Sequence, residues 1–155
     1  MYKKLVILSL PILLTACAAP KYTANSISKE NQGTEITIVR DNATREIFLE
    51  SMQEWCLDTA HKCTVVSDET PPKSSELTLT YVSRWSWDFR TFIADAKIKA
   101  YKNSEKVGEV AFKAPNSANS NKWGDDNKRI IAMMDLLFGK QTVSEAQSKI
   151  KSGEM

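Results

Sequence analysis

Few side chains in this sequence can do more than pack. Three cysteines stand at Cys17, Cys56 and Cys63, and His61 is the single histidine. Cys63 and His61 are two residues apart, so on a strand they share a face. A thiol nucleophile also needs a third group to orient its base, and none accompanies this pair. One histidine and no second Cys/His pair supply too few ligands for a zinc site. No G-x-S-x-G elbow, phosphate-cradling glycine loop or His-rich metal motif occurs. Asp125-Asp126 would attract a cation, but acid at a helix start is also what the macrodipole favours. These residues predict no catalytic site, no metal and no cofactor. Aromatic rings are the remaining chemistry. Tyr81, Trp85 and Trp87 alternate, Phe89 and Phe92 follow, and Trp123 sits in a polar loop. Alternate aromatics on a strand ordinarily pack beneath helices. If they extend past the helices, Tyr81, Trp85, Trp87 and Trp123 form a binding surface for a glycan, a peptide or a partner protein. For Trp123 alone, the expectation is a lid over the sheet edge.

The start of the chain carries an address. Met1-Tyr2-Lys3-Lys4 precede an apolar run from Leu5 to Leu14, then Thr15, Ala16 and Cys17. Basic residues, a short apolar stretch and a small-residue cleavage site make a secretory signal. The run is too short to span a bilayer, which takes roughly 20 apolar residues, and Pro11 interrupts it. Leu14-Thr15-Ala16-Cys17 resembles the bacterial lipobox. The resemblance implies cleavage before Cys17, a diacylglyceryl thioether on its sulfur and acylation (a palmitate-type chain) of its new amino group. Several chains at roughly 0.8 kcal/mol per buried CH₂ anchor a protein stably. It also implies sorting: Ala18 after the cysteine, rather than Asp, favours the outer membrane, with the domain facing the periplasm.

Processing alters the charge balance. The precursor has 21 Lys+Arg against 19 Asp+Glu. Loss of Lys3 and Lys4 with the leader leaves the mature chain near neutrality, so its basicity is a targeting feature and predicts no nucleic-acid partner. With Cys17 lipidated, Cys56 and Cys63 remain as an even pair in an oxidising compartment, which reads as a disulfide. Two buried free thiols are the other reading.

The elements that must hold these residues follow from periodicity. Residues 17–33 are polar and aperiodic and read as a flexible tether. Residues 34–155 suffice for one modest core. Glu35 to Arg40 alternates, with Ile36 and Ile38 on one face: a strand. Asp41-Asn42 offer capping chemistry for a helix over about 43–59, with Ile47, Phe48, Met52, Trp55, Cys56 and Thr59 along one stripe. Lys62 to Ser67 is a second strand, placing Cys63 opposite the last turns of that helix. After Pro71-Pro72, Leu77, Leu79, Tyr81, Trp85 and Trp87 alternate against Thr78, Thr80, Arg84, Ser86 and Asp88. Arg84 and Asp88 would then be solvated or paired with each other. Phe92, Ala94, Ala96, Ile98 and Ala100 alternate against Asp95, Lys97 and Lys99, and Val107 to Lys113 makes a further strand. Short connections predict an antiparallel meander for these three strands. A loop over 114–121 leads to a helix with Ile130, Ile131, Met133, Met134, Leu137 and Phe138, stopped by Gly139. Thr142 and Glu145 form a capping box for a last helix. The order β-α-β-β-β-β-α-α predicts an α+β two-layer sandwich, a mostly antiparallel sheet with helices on one face.

Trp85-Ser86-Trp87-Asp88 after a strand and Lys122-Trp123 before the final helices resemble a family of small proteobacterial lipoproteins without an assigned activity. The resulting expectation is a non-enzymatic accessory protein, anchored to the membrane through its N-terminal lipid and binding another envelope component. The alternative is a small-ligand or glycan carrier with an aromatic pocket between sheet and helices.

Overall fold

In a computed structural model, residues 19–73, 75–115 and 119–155 are described. The expected leader over 1–16, Cys17 with its expected lipid and the middle of the 114–121 loop lie outside them.

Among the described residues, one sheet of six strands carries three helices. The strands are β1 Lys21–Asn25, β2 Glu35–Val39, β3 Lys62–Val66, β4 Leu77–Asp88, β5 Arg90–Lys102 and β6 Glu105–Lys113. The helices are α1 Glu46–Asp58, α2 Asp126–Leu137 and α3 Val143–Ser152. The strand order is β1-β6-β5-β4-β2-β3. β4, β5 and β6 form the expected antiparallel meander, and β1 joins its edge antiparallel to β6. β2 lies parallel to both β3 and β4, because α1 carries the chain from β2 back to β3 and returns it in the same direction. The sheet is therefore mixed, and the fold is the α+β sandwich that the element order predicts.

The largest departure from the sequence reading is at the N-terminal side. Residues 17–33 read as a tether, yet Lys21–Asn25 is a sheet strand and Lys29–Asn31 is a 3₁₀ turn. Tyr22 and Ile27 are both buried. Gln147 on α3 clamps the segment: its Oε1 accepts from Tyr22 N at 3.3 Å, and its Nε2 donates to Pro20 O. Ile27 N donates to Leu137 O at 2.8 Å. A strand of five residues that buries one side chain has no periodicity to detect, so its long-range partners decide its structure. The folded unit therefore includes residues well before 34.

α1 begins later than the capping expectation. Asp41 accepts from Ala43 N and Thr44 Oγ1, closing a turn of its own, and the helix starts at Glu46 with Arg45 at its cap. The downstream signals match the structure. Asp125 caps α2 by accepting from Lys128 N at 3.1 Å. Gly139 adopts φ +66°, with Lys140 N bonded back to Asp135 O. Thr142 and Glu145 form the reciprocal box of α3.

The core lies between the sheet and the helices. Phe48, Leu49, Met52 and Trp55 of α1 and Ile130, Met133, Met134 and Leu137 of α2 meet Ile36, Ile38, Leu79, Tyr81, Ile98, Val110 and Phe112 of the sheet. Trp55 Nε1 donates to Asp135 Oδ1 at 2.8 Å, tying α1 to α2. Gly108 lets a neighbouring segment close in: a Cβ there would stand 2.7 Å from Ile27 Cγ1 and 3.0 Å from Leu137 Cδ1.

Candidate functional site

The aromatic run does not form one surface. It grades from the core to an exposed tip along β4. Tyr81 is buried and stacks on Phe48, ring centroids 5.1 Å apart. Burial lifts its phenol pKa above the ordinary 10.0. Trp85 is half-buried: Arg45 lies 4.9 Å from its ring centroid, and its Nε1 donates to Ser83 Oγ at 2.7 Å. Trp87 is 72% exposed, and Phe89, alone in the turn between β4 and β5, is 83% exposed. Their rings lie 6.4 Å apart. Trp123 is half-buried in the 3₁₀ turn Ser120–Trp123, which packs on β5 as a lid.

A bulge redistributes the faces of β5. The register runs Arg84↔Asp95 and then Trp85↔Ile93, leaving Ala94 as the extra residue. Ile93 thereby turns into the helix-side core and is fully buried. Phe92, expected on the core face with Ala94 and Ala96, pairs with Ser86 on the other face. It is buried there beneath Lys122, whose Nζ lies 5.5 Å from its ring centroid. Lys122 is itself buried and pairs with Asp88, a favourable arrangement for an otherwise costly buried ammonium. Asp88 thus pairs across the fold, and Arg84 pairs with Asp95 (Nε to Oδ2, 2.8 Å). The expected Arg84–Asp88 pairing does not form. Arg129, fully buried, donates to Lys122 O at 2.8 Å and to Asn121 O, fixing the lid from below.

Beyond the Ser120–Trp123 turn that covers Phe92, the face away from the helices is open among the described residues, and the cross-strand register orders its charges. One row reads Lys21, Lys113, Asp95, Arg84; the next Thr23, Ala111, Lys97, Val82; a third Asn25, Glu109, Lys99, Thr80. Five cations thus stand against two carboxylates in these rows, on a chain whose 21 Lys+Arg nearly balance its 19 Asp+Glu. The two carboxylates sit in a positive field. Lys106 bonds Glu109 at 3.0 Å, and with Lys97 and Lys99 nearby it holds the Glu109 carboxyl below its ordinary range. A groove of about 590 Å³ runs along this face, lined by Val82, Arg84, Lys97, Lys99 and Lys113 among others. A second cleft, of about 360 Å³, lies beside Trp85 and Phe92. On the helical side, Glu46, Glu50, Glu54 and Asp58 lie exposed along α1.

Sequence reading missed the basic rows. Lys97 and Lys99 were legible as the polar phase of β5, but Lys21 lay in the supposed tether, and no local pattern aligns it with Lys113. Its alternative reading placed an aromatic pocket between sheet and helices, where Tyr81 and Phe48 stack in the core.

Cys56 and Cys63 form the disulfide, Cα atoms 6.1 Å apart, linking the end of α1 to the start of β3. His61 takes part in packing: it stacks on Trp55 at 4.8 Å, and its Nδ1 lies 2.7 Å from Thr59 Oγ1. Among the described residues, no three metal-ligating side chains cluster, and no helix is long and apolar enough to cross a membrane.

No family model matches the sequence, and no curated protein matches it. A crystal structure of a minor lipoprotein from Acinetobacter baumannii is similar to this chain with 6% identity and a TM-score of 0.31, over 78% of this chain and 92% of that one.

Proposed function

We propose that this chain is an envelope lipoprotein, lipidated at Cys17 and retained at the outer membrane, which acts as a non-enzymatic interaction module through the open face of its sheet. The observation that carries the reading is the row order of that face: Lys21, Lys97, Lys99, Lys113 and Arg84 spread over four strands beside a groove, with only Asp95 and Glu109 to offset them. A surface of this kind suits an acidic stretch of another envelope protein, because complementary charge speeds encounter and fixes register. The leader resemblance at Leu14-Thr15-Ala16-Cys17 supplies the anchor.

The test is residue-specific photocrosslinking in intact cells. A crosslinker in place of Lys97 should give a discrete adduct, and one in place of Glu50 on α1 should not. Equal labelling, or none, at both positions would remove the open face from the proposal. A glycan-binding reading is favoured by the cleft at Trp85 and Phe92, where ring faces and cations adjoin. Saccharide-induced shifts confined to the Trp85 indole would select it over the protein partner.

A further inference from the structure

We infer that the β4–β5 hairpin tip seats in a lipid bilayer with anionic headgroups, Trp87 and Phe89 entering the interfacial layer while the basic row above them faces the headgroups. This inference takes its orientation from the lipoprotein reading of Cys17. It begins with the tip itself. Phe89 stands alone between Asp88 and Arg90, which pair directly, and holds φ +59°. That conformation suits glycine or asparagine and is costly for a bulky side chain. Here it projects a ring into solvent beside a second exposed ring, that of Trp87. Neither ring is taken up by the core, and a Trp–Phe pair is well suited to a membrane interface.

The sheet register places this tip and the lipid attachment at the same end of the molecule. Lys21 of β1 lies in one row with Lys113, Asp95 and Arg84. From Arg84 to Asp88, four residues of strand extend about 13 Å past that row. From Lys21 back to Cys17, four residues of chain reach at most about 14 Å past it. That length is enough for acyl chains on Cys17 and the aromatic tip to share one plane. They are separated sideways by the three strand spacings from β1 to β4, about 14 Å. Gln147 holds Pro20 and Tyr22 to α3, so the chain is fixed to the fold from Pro20 onward.

Charge agrees with that orientation. Lys21, Lys113 and Arg84 stand in the row next to the plane, with Asp95 among them bonded to Arg84, and Arg90 flanks the tip opposite Asp88, which Lys122 neutralises. The acidic residues of α1 lie on the other side of the sheet. The tip and the lipid site, both at this end of the strands, set the strands along the membrane normal, and an anionic surface would attract the cations of the row beside them. The basic groove would then remain open to the side.

The experiment uses the mature lipidated chain, purified from membranes and reconstituted in phosphatidylethanolamine vesicles containing one quarter phosphatidylglycerol. Phe89→Cys carries a polarity-sensitive fluorophore, and Leu57→Cys, exposed on α1, carries the same one as a control. We expect the position-89 label to shift to the blue and to lose about half its emission when the lipids are brominated near the headgroup, within the roughly 5–10 Å depth of an interfacial contact. The position-57 label should do neither. Unlabelled protein provides a second readout: bromolipid quenching of tryptophan emission should fall sharply in Trp87→Phe. A lipidated, vesicle-bound chain whose position-89 label stays in water overturns the inference and leaves the lipoprotein reading intact. The same follows if both labels are quenched alike, if Trp87→Phe leaves quenching unchanged, or if position 89 becomes apolar only when envelope proteins are added. A chain that lacks lipid on mass analysis overturns the lipoprotein reading instead.

Discussion

Replacing Tyr22 by alanine separates a folded N-terminal segment from a loose one. Its ring is 3% exposed, packs against Phe112 at a centroid distance of 5.0 Å, and its hydroxyl donates to Arg129 O at 3.3 Å. Burial of this phenol also raises its pKa, so no charge complicates the measurement at neutral pH. Truncating a buried aromatic costs about 3–5 kcal/mol, the lost transfer energy plus the cavity left behind. Tyr22→Phe keeps the ring and loses one long hydrogen bond, worth about 1 kcal/mol or less. With a urea slope of roughly 1–3 kcal/mol per molar for a chain of this size, Tyr22→Ala should lower the unfolding midpoint by about 2 M. The assay is urea unfolding followed by far-UV circular dichroism and by tryptophan emission, to which Trp55 contributes from the shared core. A solvated tether would tolerate either substitution within about 0.5 kcal/mol. A Tyr22→Ala midpoint equal to that of the unaltered chain would refute the assignment of β1 to the sheet.

Opening the Cys56–Cys63 link should cost roughly 2.5 kcal/mol by loop-closure entropy, read as a drop in Tm on reduction that a Cys56→Ala/Cys63→Ala double variant reproduces without reductant. Gly108→Ala should destabilise by about 1–3 kcal/mol through overpacking against Ile27 and Leu137; an unchanged Tm would show that the Ile27 segment yields freely. Burial, reinforced by Lys140, holds His61 below its ordinary pKa of 6.5. The unfolded chain therefore binds that proton first, so stability is full above pH 6.5 and is lost as pH falls towards the folded-state value. His61→Gln should flatten that limb of a Tm-against-pH curve, and a superimposable curve would exclude His61 as its source.

The sequence resolved what period and punctuation encode. The Leu77–Tyr81 alternation, the Asp125 cap, the Gly139 stop and the Thr142/Glu145 box all lie where local pattern places them. The Cys56–Cys63 bridge follows from a helix end and a strand start seven residues apart. What escaped it depends on distant contacts. β1 exists because Gln147, Phe112 and Leu137 receive it, and none of these lies near it in sequence. The bulge at Ala94 reverses the phase of Phe92 although the alternation reads as unbroken, because an extra residue is visible only against the partner strand. The same register dependence hid the basic face, whose rows form only when β1, β6, β5 and β4 are laid side by side. The aromatic run shows the converse. Its spacing was correct, but exposure differs at each step because β4 outruns the helices that cover its first half.

The proposed anchor and the proposed seating of the hairpin tip both depend on the chemistry of Cys17, and an intact mass of the chain from the membrane fraction reads that chemistry directly. The expected species begins at Cys17, exceeds its polypeptide mass by a diacylglyceryl group and one further acyl chain, and lacks the two hydrogens of an oxidised Cys56–Cys63 pair. A chain still beginning at Met1 with an unmodified Cys17 would contradict the anchor and the orientation built on it.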